Sequence, residues 1–331
     1  MRAKLDLTLA VHSYDRTLPI LDGRVQVEGC NLIALPLLPE ETFNRAFVNH
    51  EFDVCELSMC TYLHSRDHGQ SHYIAIPAFV SRVFRHNTIF IRTDRGITRP
   101  EDLRGRTIGV PEYQMTAGLW VRGMLSDVYG VDARDVHWRT GGLEDPGRTE
   151  KFALRLPDGF DVRPIPAERT LSDMLAEGDL DALIGPRLPS CFARGAPNVA
   201  RLFPDFREAE KDYFRQTGLF PIMHTIGIRA ELVERHPWIA ASVFKAFSKA
   251  KSMVTANLDE LGASEVTLPW VAAEVMATRE LMGEDFWPYG VEQNRAALEA
   301  MVRYAHEQGL ISERPAIESL FARGSQIEVK I

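Results

Sequence analysis

Short apolar runs alternate with segments of helical periodicity along about the first ninety residues of the chain. Alternating or β-branched apolar runs predict strands, and apolar residues spaced three or four apart predict the helices between them. This order predicts βαβ units around a largely parallel sheet. The predicted strands are residues 5–10, 31–37, 52–58 and 73–80, and the predicted helices are residues 17–22, 40–49 and 60–68.

A second group of strands and helices follows from about residue 100 and ends in a helical tail. One predicted helix is opened by Thr170 and closed by Gly178, which are typical cap residues. The predicted strands are 107–110, 136–140, 162–164 and 181–184, and the predicted helices are 116–129, 170–177, 237–252, 268–282 and 291–308.

The pattern predicts an α/β protein with two lobes and a cleft between them. We expect crossings between the lobes near residues 88–93 and 222–229, where apolar β-branched runs occur. Lobe one would comprise residues 1–92 and 226–331, and lobe two residues 93–225. A length of 331 residues suits two lobes that each bury a core.

Composition narrows the class of partner and the compartment. The net charge of −8 disfavours a nucleic-acid partner, so an anionic ligand would need a local basic pocket. Four cysteines without metal-ligand spacing indicate reduced thiols. The charged, alternating start of the chain is unlike a signal peptide, and no run approaches the roughly 18 to 20 apolar residues of a membrane span. We therefore expect a cytoplasmic protein without a membrane partner.

Candidate ligand contacts follow predicted strands, because ligands of open α/β sheets bind beyond the carboxyl ends of strands. Ser58 follows the third strand, where it either contacts a carboxylate or only caps a helix. Tyr113, Gln114, Met115 and Thr116 open the helix 116–129, where free amides favour an anion. The alternative for Thr116 is again a simple cap.

Basic residues supply the second group of candidates. Arg82, Arg85 and His86 lie within six residues at the end of a predicted strand, and Arg187 follows the strand 181–184. Guanidinium groups bind carboxylates at two points, although a cluster of charges is usually a solvated face. His224 lies in an apolar run beside a predicted crossing, where a core histidine is the common alternative.

Several catalytic motifs are missing from the sequence, namely GxGxxG, GxxxxGK[ST], HExxH and GxSxG. The missing motifs argue against nucleotide-dependent, zincin and α/β-hydrolase chemistry. His64 and His68 have a spacing that could hold a metal, but surface imidazoles are commoner at that spacing. We expect no metal site and no organic cofactor.

Five segments resemble the 4,5-dihydroxyphthalate decarboxylase family, and the likeness extends from Tyr14 to about residue 309. The segments are 110–116, 141–147, 170–175, 221–225 and 281–290. The resemblance implies a periplasmic-binding-protein type II fold that converts 4,5-dihydroxyphthalate into protocatechuate and CO2 during phthalate degradation. It also implies Tyr14 as a substrate contact. A small aromatic carboxylate would be the partner, and a homo-oligomer is possible.

A mechanism without a cofactor is compatible with these residues. His224 or His86 would protonate the ring carbon that bears the carboxylate. Arg82, Arg85 and Arg187 would orient the two carboxylates, with one of them at the helix start of residues 113–116. A divalent ion on the catechol oxygens stays open as an alternative. The other class of function is a non-catalytic solute-binding protein for a small aromatic carboxylate.

Overall fold

A computed structural model describes residues 4–260 and 266–326, whose strands form two mixed sheets. The first sheet has the order β2-β1-β3-β11-β4, and the second has the order β10-β5-β9-β6-β7-β8. The strands are β1 Leu5–Val11, β2 Cys30–Pro36, β3 Val54–Ser58, β4 Tyr73–Arg82, β5 Ile89–Arg92, β6 Thr107–Val110, β7 His137–Thr140, β8 Asp161–Pro164, β9 Ala182–Ile184, β10 Val199–Arg201 and β11 Ile222–Arg229.

Helices cover the sheets and connect their strands. They are α1 Leu18–Leu21, α2 Pro39–Phe47, α3 Met59–Asp67, α4 Thr116–Tyr129, α5 Leu171–Glu177, α6 Ser190–Ala193, α7 Phe206–Thr217, α8 Ala230–Arg235, α9 Trp238–Thr255, α10 Val271–Met282 and α11 Arg295–Glu307. None of the helices in the described ranges is long and apolar enough to cross a membrane.

The first sheet contains one strand from the distant half of the chain. β1 pairs in parallel with β2 and β3, as the βαβ pattern predicts, whereas β11 is antiparallel to both β3 and β4. In the register of β11 and β3, His224 lies opposite Ser58. A candidate proton donor and a candidate ligand contact therefore meet at one end of this sheet.

The second sheet begins earlier in the chain than the sequence predicts. β5 ends at Arg92 but pairs with β9 and β10, so it belongs to the second sheet. β11 begins at Ile222, before the predicted boundary at residue 226, and belongs to the first. The boundaries at residues 92 and 226 therefore need correction, because an apolar strand pattern does not reveal which sheet the strand joins.

The tail helices pack against both parts of the protein. α9 packs on β4, whereas α11 packs on α4. At that helix contact a Cβ atom on Gly123 would lie 2.3 Å from the ring of Tyr304, so only glycine permits this approach. The four free cysteines are all buried.

Candidate active site

A cavity of about 360 Å³ is lined by strand residues of the first sheet and by segments that follow β6 and β9 of the second sheet. Six of the candidates from the sequence lie on its wall. They are Ser58, Arg85, Met115, Thr116, Arg187 and His224. The other lining residues are Leu38, Pro39, Glu40, Phe43, Thr61, Glu112, Ala117, Lys151, Pro186 and Met223.

His224 forms a pair with a buried carboxylate. Its Nδ1 lies 2.6 Å from Oε1 of Glu56, whose side chain is fully buried. Phe43 contacts the imidazole edge to face, with 4.8 Å between ring centroids. Because Nδ1 is bound to Glu56, Nε2 is the nitrogen left for the cavity that His224 lines.

Glu56 is held in its ionised form by three donors. Burial acts to raise the pKa of Glu56, but hydrogen bonds lower it below the ordinary value. Besides His224, the donors are the amide of His12 at 3.0 Å and the hydroxyl of Tyr14 at 2.8 Å. An ionised Glu56 accepts a hydrogen bond from the Nδ1–H group of His224. This bond fixes the tautomer and the orientation of the ring.

Tyr14 therefore lies behind the dyad and does not line the cavity. Glu56 itself was not predicted. It stands inside β3 between apolar Cys55 and Leu57, and a charged residue within such a strand was the available signal.

The hydroxyls of Ser58 and Thr116 join the two walls of the cavity. Their oxygens are 2.9 Å apart, and Thr116 also accepts a hydrogen bond from the amide of Cys60 at 3.0 Å. The hydroxyl of Thr61 donates to Ser58 at 3.1 Å. Neither Ser58 nor Thr116 caps its own helix with its side chain, so the simple-cap alternative does not describe them.

Arg85 is a buried cation that forms no ion pair in contact distance within the described chain. Its guanidinium donates to the sulfur of Met223, with Nη2 at 2.8 Å. Burial lowers the pKa of Arg85 to about 10, although the negative charge of Glu210 raises it. Sulfur is a weak acceptor, so the guanidinium keeps most of its capacity for a ligand.

The segment that carries Arg187 is linked to Arg85 through Thr88. The amide of Gly185 donates to the carbonyl of Thr88, and the hydroxyl of Thr88 donates to the carbonyl of Arg85. Arg187 is exposed and forms no ion pair with any acid in residues 4–260 or 266–326. We refer to Arg85 and Arg187 as the arginine end.

Another part of the wall is an ion-pair network. Glu112 accepts from Nζ of Lys151 at 2.7 and 2.8 Å and from Nε of Arg148 at 2.8 Å. Arg148 also binds Glu40, on α2. Because Glu40 precedes β3 and Glu112 follows β6, this network joins the two lobes. We refer to these four residues as the ion-pair end.

Glu40, Arg148 and Lys151 were not predicted from the sequence. Only the folded chain brings Glu40 next to Arg148, 108 residues later. Burial acts to raise the pKa of Glu40, but Arg148 and Lys151 hold it below the ordinary value. In the described ranges, no three histidine, cysteine or acidic side chains are grouped to share a metal ion.

Two of the predicted basic residues lie away from the cavity. Arg82 donates to the carbonyls of Phe220 at 3.0 Å and Pro288 at 2.9 Å, and to the side chain of Asn294. His86 is fully buried, with neither ring nitrogen hydrogen-bonded, and burial lowers its pKa to about 4. Arg82 is thus a structural anchor, and His86 is neutral at ordinary pH.

Tyr113 and Gln114 also face the core. The hydroxyl of Tyr113 donates to the carbonyl of Gln308 at 3.3 Å, and the amide of the Gln114 side chain donates to Phe152. Both backbone amides donate to Glu150, whose pKa burial raises to about 7. The amides of Tyr113 and Gln114 are therefore bound by a protein carboxylate and are not free for a ligand. Met115 and Thr116 line the cavity, so an anion at the start of α4 stays a prediction.

Comparisons with known proteins agree with this architecture. No family model matches the chain. A 4,5-dihydroxyphthalate decarboxylase of Comamonas testosteroni is 45% identical over 329 residues, which is 99% of this chain and all of the relative. A protein of the same name from Pseudomonas putida is 50% identical over 212 residues, which is 64% of this chain and 82% of the relative.

Solved structures share the fold at low identity. A periplasmic sulfonate-binding protein of Methylobacillus flagellatus has a TM-score of 0.54 at 12% identity, over 97% of this chain and 92% of its own. The alkanesulfonate-binding protein of Xanthomonas axonopodis has a TM-score of 0.53 at 11% identity, over 97% and 99%. These likenesses confirm the predicted two-lobed binding-protein fold and carry no statement about function.

Proposed function

Because the chain belongs to the 4,5-dihydroxyphthalate decarboxylase family, we propose that it removes one carboxylate of 4,5-dihydroxyphthalate as CO2 and leaves protocatechuate. The observation that carries this proposal is the His224–Glu56 dyad, which faces a cavity with two arginines that form no ion pair in the described chain. A cytoplasmic location and a homo-oligomeric state stay predictions from the sequence.

The chemistry requires a proton on the ring before CO2 departs. An intact arene has no place for the electron pair of the breaking carbon–carbon bond. A hydroxyl para to the carboxylate solves this problem, because loss of its proton pushes electron density to the ipso carbon. That carbon takes a proton from a general acid, CO2 leaves, and the bonding pair restores aromaticity.

His224 is the proposed general acid. Its Nε2 would protonate the ipso carbon, while ionised Glu56 stabilises the imidazolium before transfer and fixes the ring orientation. His86 is not suited to this role, because it is buried away from the cavity and is neutral at ordinary pH.

The arginine end would bind the two carboxylates of the substrate. Arg85 and Arg187 carry two positive charges with no carboxylate in contact among the described residues, so a dianion matches their charge. Cleft closure around the ligand would exclude water and strengthen these contacts. A reacting ring held there would lie beside His224, which shares the cavity wall.

The direct test is incubation of the purified protein with 4,5-dihydroxyphthalate while CO2 and protocatechuate are measured. In D2O, deuterium should appear at the carbon that lost CO2. Tight binding without CO2 release would instead support a non-catalytic binding protein.

His224→Gln tests the assignment of the acid. This change keeps hydrogen bonding but removes the titrating group, so kcat should fall by about 10²-fold or more while substrate binding persists. His86→Gln is the matched control, and its folded fraction should keep the wild-type kcat. An active His224→Gln enzyme would remove His224 from the mechanism.

A further inference from the structure

We propose that the ion-pair end of the cavity binds the two ring hydroxyls, with Glu40 as the base for the para hydroxyl and Lys151 as the donor to its oxygen. This inference rests on the proposed function and adds to it the determinants of the catechol half of the substrate. It assigns catalytic contacts to residues of two different lobes.

The charges of the cavity indicate which end takes which half of the substrate. The arginine end has two cations and no contacting carboxylate among the described residues, whereas Glu40 and Glu112 balance Arg148 and Lys151 at the ion-pair end. A substrate carboxylate at the ion-pair end would meet two like charges. Neutral hydroxyls meet no such repulsion there.

The hydrogen-bonding capacity left at the ion-pair end fits a diol. Both oxygens of Glu112 are already engaged by Lys151. Glu40 uses Oε2 for Arg148, and in the described part of the chain no hydrogen bond reaches its Oε1. An ammonium group has three N–H donors, and Lys151 directs two of them to Glu112, so one remains. One free acceptor and one free donor therefore face the cavity.

The base and the acid are connected through one aromatic side chain on the cavity wall. Glu40 and Phe43 are three residues apart on α2 and so share a helix face. Phe43 in turn contacts the imidazole of His224. The para oxygen and the ipso carbon are at opposite corners of the substrate ring, so the reaction needs a base and an acid on two different residues of one cavity, as Glu40 and His224 are.

Glu40, His224 and water account for every proton that moves in this step. The para hydroxyl gives its proton to Glu40, and its electron pair moves into the ring while the ipso carbon takes a proton from the His224 imidazolium. The carbon–carboxylate bond then breaks, CO2 leaves, and the electron pair restores the aromatic ring and a phenolate. Lys151 stabilises that negative oxygen until Glu40 returns the proton, and His224 regains its own from water.

Glu40→Gln tests the base through pH. At pH 7 its kcat should fall by about 10²-fold. The deficit should shrink as the pH rises and the substrate hydroxyl ionises without a base. Glu41→Gln is the matched control, since Glu41 is an exposed neighbour that pairs with Arg45 outside the cavity. A loss that is the same at every pH, or no loss, would overturn the role of Glu40.

Lys151→Met tests hydroxyl recognition by binding alone. Phthalate, which lacks ring hydroxyls, should bind wild type and variant with equal Kd. The binding of 4,5-dihydroxyphthalate should weaken by about 10-fold or more, because a hydrogen bond from a charged donor is lost. Equal weakening for both ligands, or for neither, would refute the assignment. If wild type binds but releases no CO2, the proposed function fails, while this binding comparison still decides the role of Lys151.

Discussion

Arg85→Met is expected to weaken catalysis while leaving the fold as stable as before, or more stable. Arg85 is a buried cation whose guanidinium contacts only the sulfur of Met223 by hydrogen bonding in the described chain. Methionine is unbranched and adaptable, so it can fill the space of the lost side chain. A residue kept for a ligand and not for the fold should show this combination.

The structure gives the magnitude of both effects. Burial lowers the pKa of Arg85 from 12.5 to about 10, which corresponds to about 3 kcal/mol against its charged form in the ligand-free protein. Removing the charge relieves that cost. The substrate carboxylate loses charge-assisted hydrogen bonds of about 1.5–3 kcal/mol each, so kcat/KM should fall by roughly 10- to 150-fold or more.

Arg82→Met is the matched control, because Arg82 is an equally buried arginine outside the cavity. Burial lowers its pKa to about 9, but its guanidinium binds the carbonyls of Phe220 and Pro288 and the side chain of Asn294. Its removal leaves the carbonyl of Phe220 and the side-chain oxygen of Asn294 without this donor, so this variant should be destabilised by about 2 kcal/mol or more. Its folded fraction should keep the wild-type KM.

Denaturant unfolding and steady-state kinetics on the same preparations provide the measurements. The expected pattern is a crossed one, in which Arg85→Met loses activity and Arg82→Met loses stability. If Arg85→Met lost stability and kept kcat/KM, Arg85 would be a structural residue, and the carboxylate site would have to lie elsewhere.

Three further outcomes follow from the contacts described above. Glu56→Gln should lower kcat by about 10²-fold or more in steady-state kinetics, because His224 loses its orienting carboxylate; unchanged kcat would contradict this. Burial raises the pKa of Glu150 from 4.5 to about 7, so its contribution to the unfolding free energy decreases as the pH rises from 4.5 to about 7. Glu150→Gln should flatten that decrease in denaturant titrations, and an equal slope would refute the assignment. Gly123→Ala should destabilise the protein by about 1–3 kcal/mol in thermal unfolding, because its Cβ would meet the ring of Tyr304, and an unchanged melting temperature would show that the ring can move.

Elements with strong local signals could be predicted from the sequence. α4 begins at Thr116 and ends at Tyr129 as predicted, because Gly130 adopts the left-handed conformation that closes a helix. Thr170 caps α5 by accepting from the amide of Asp173, again as predicted. α7 had no prediction, although Asp205 accepts from the amide of Glu208 at its start, and this Asp-x-x-Glu pattern was visible in the sequence.

A residue of the candidate site could be predicted only where its own sequence neighbours made it stand out. His224 stood out within an apolar run, but its partner Glu56 is 168 residues away, and only the pairing of β11 with β3 brings them together. Proximity in sequence was misleading for His86, which follows Arg85 directly yet packs against Phe203 and Tyr213. Arg85 and His86 lie beyond the end of β4, where the alternation of a strand no longer predicts the direction of each side chain.

The position of β11 between β3 and β4 also has a consequence for biosynthesis. All strands of the second sheet lie between Ile89 and Arg201, so this sheet can pair as soon as that segment has left the ribosome. The first four strands of the chain belong to the first sheet and are synthesised early. That sheet is complete only when β11, residues 222–229, is inserted between β3 and β4. The second lobe is therefore able to fold first, although it comes later in the chain. Because Glu56 meets His224 only when this last strand is inserted, a nascent chain acquires the His224–Glu56 pair near the end of folding.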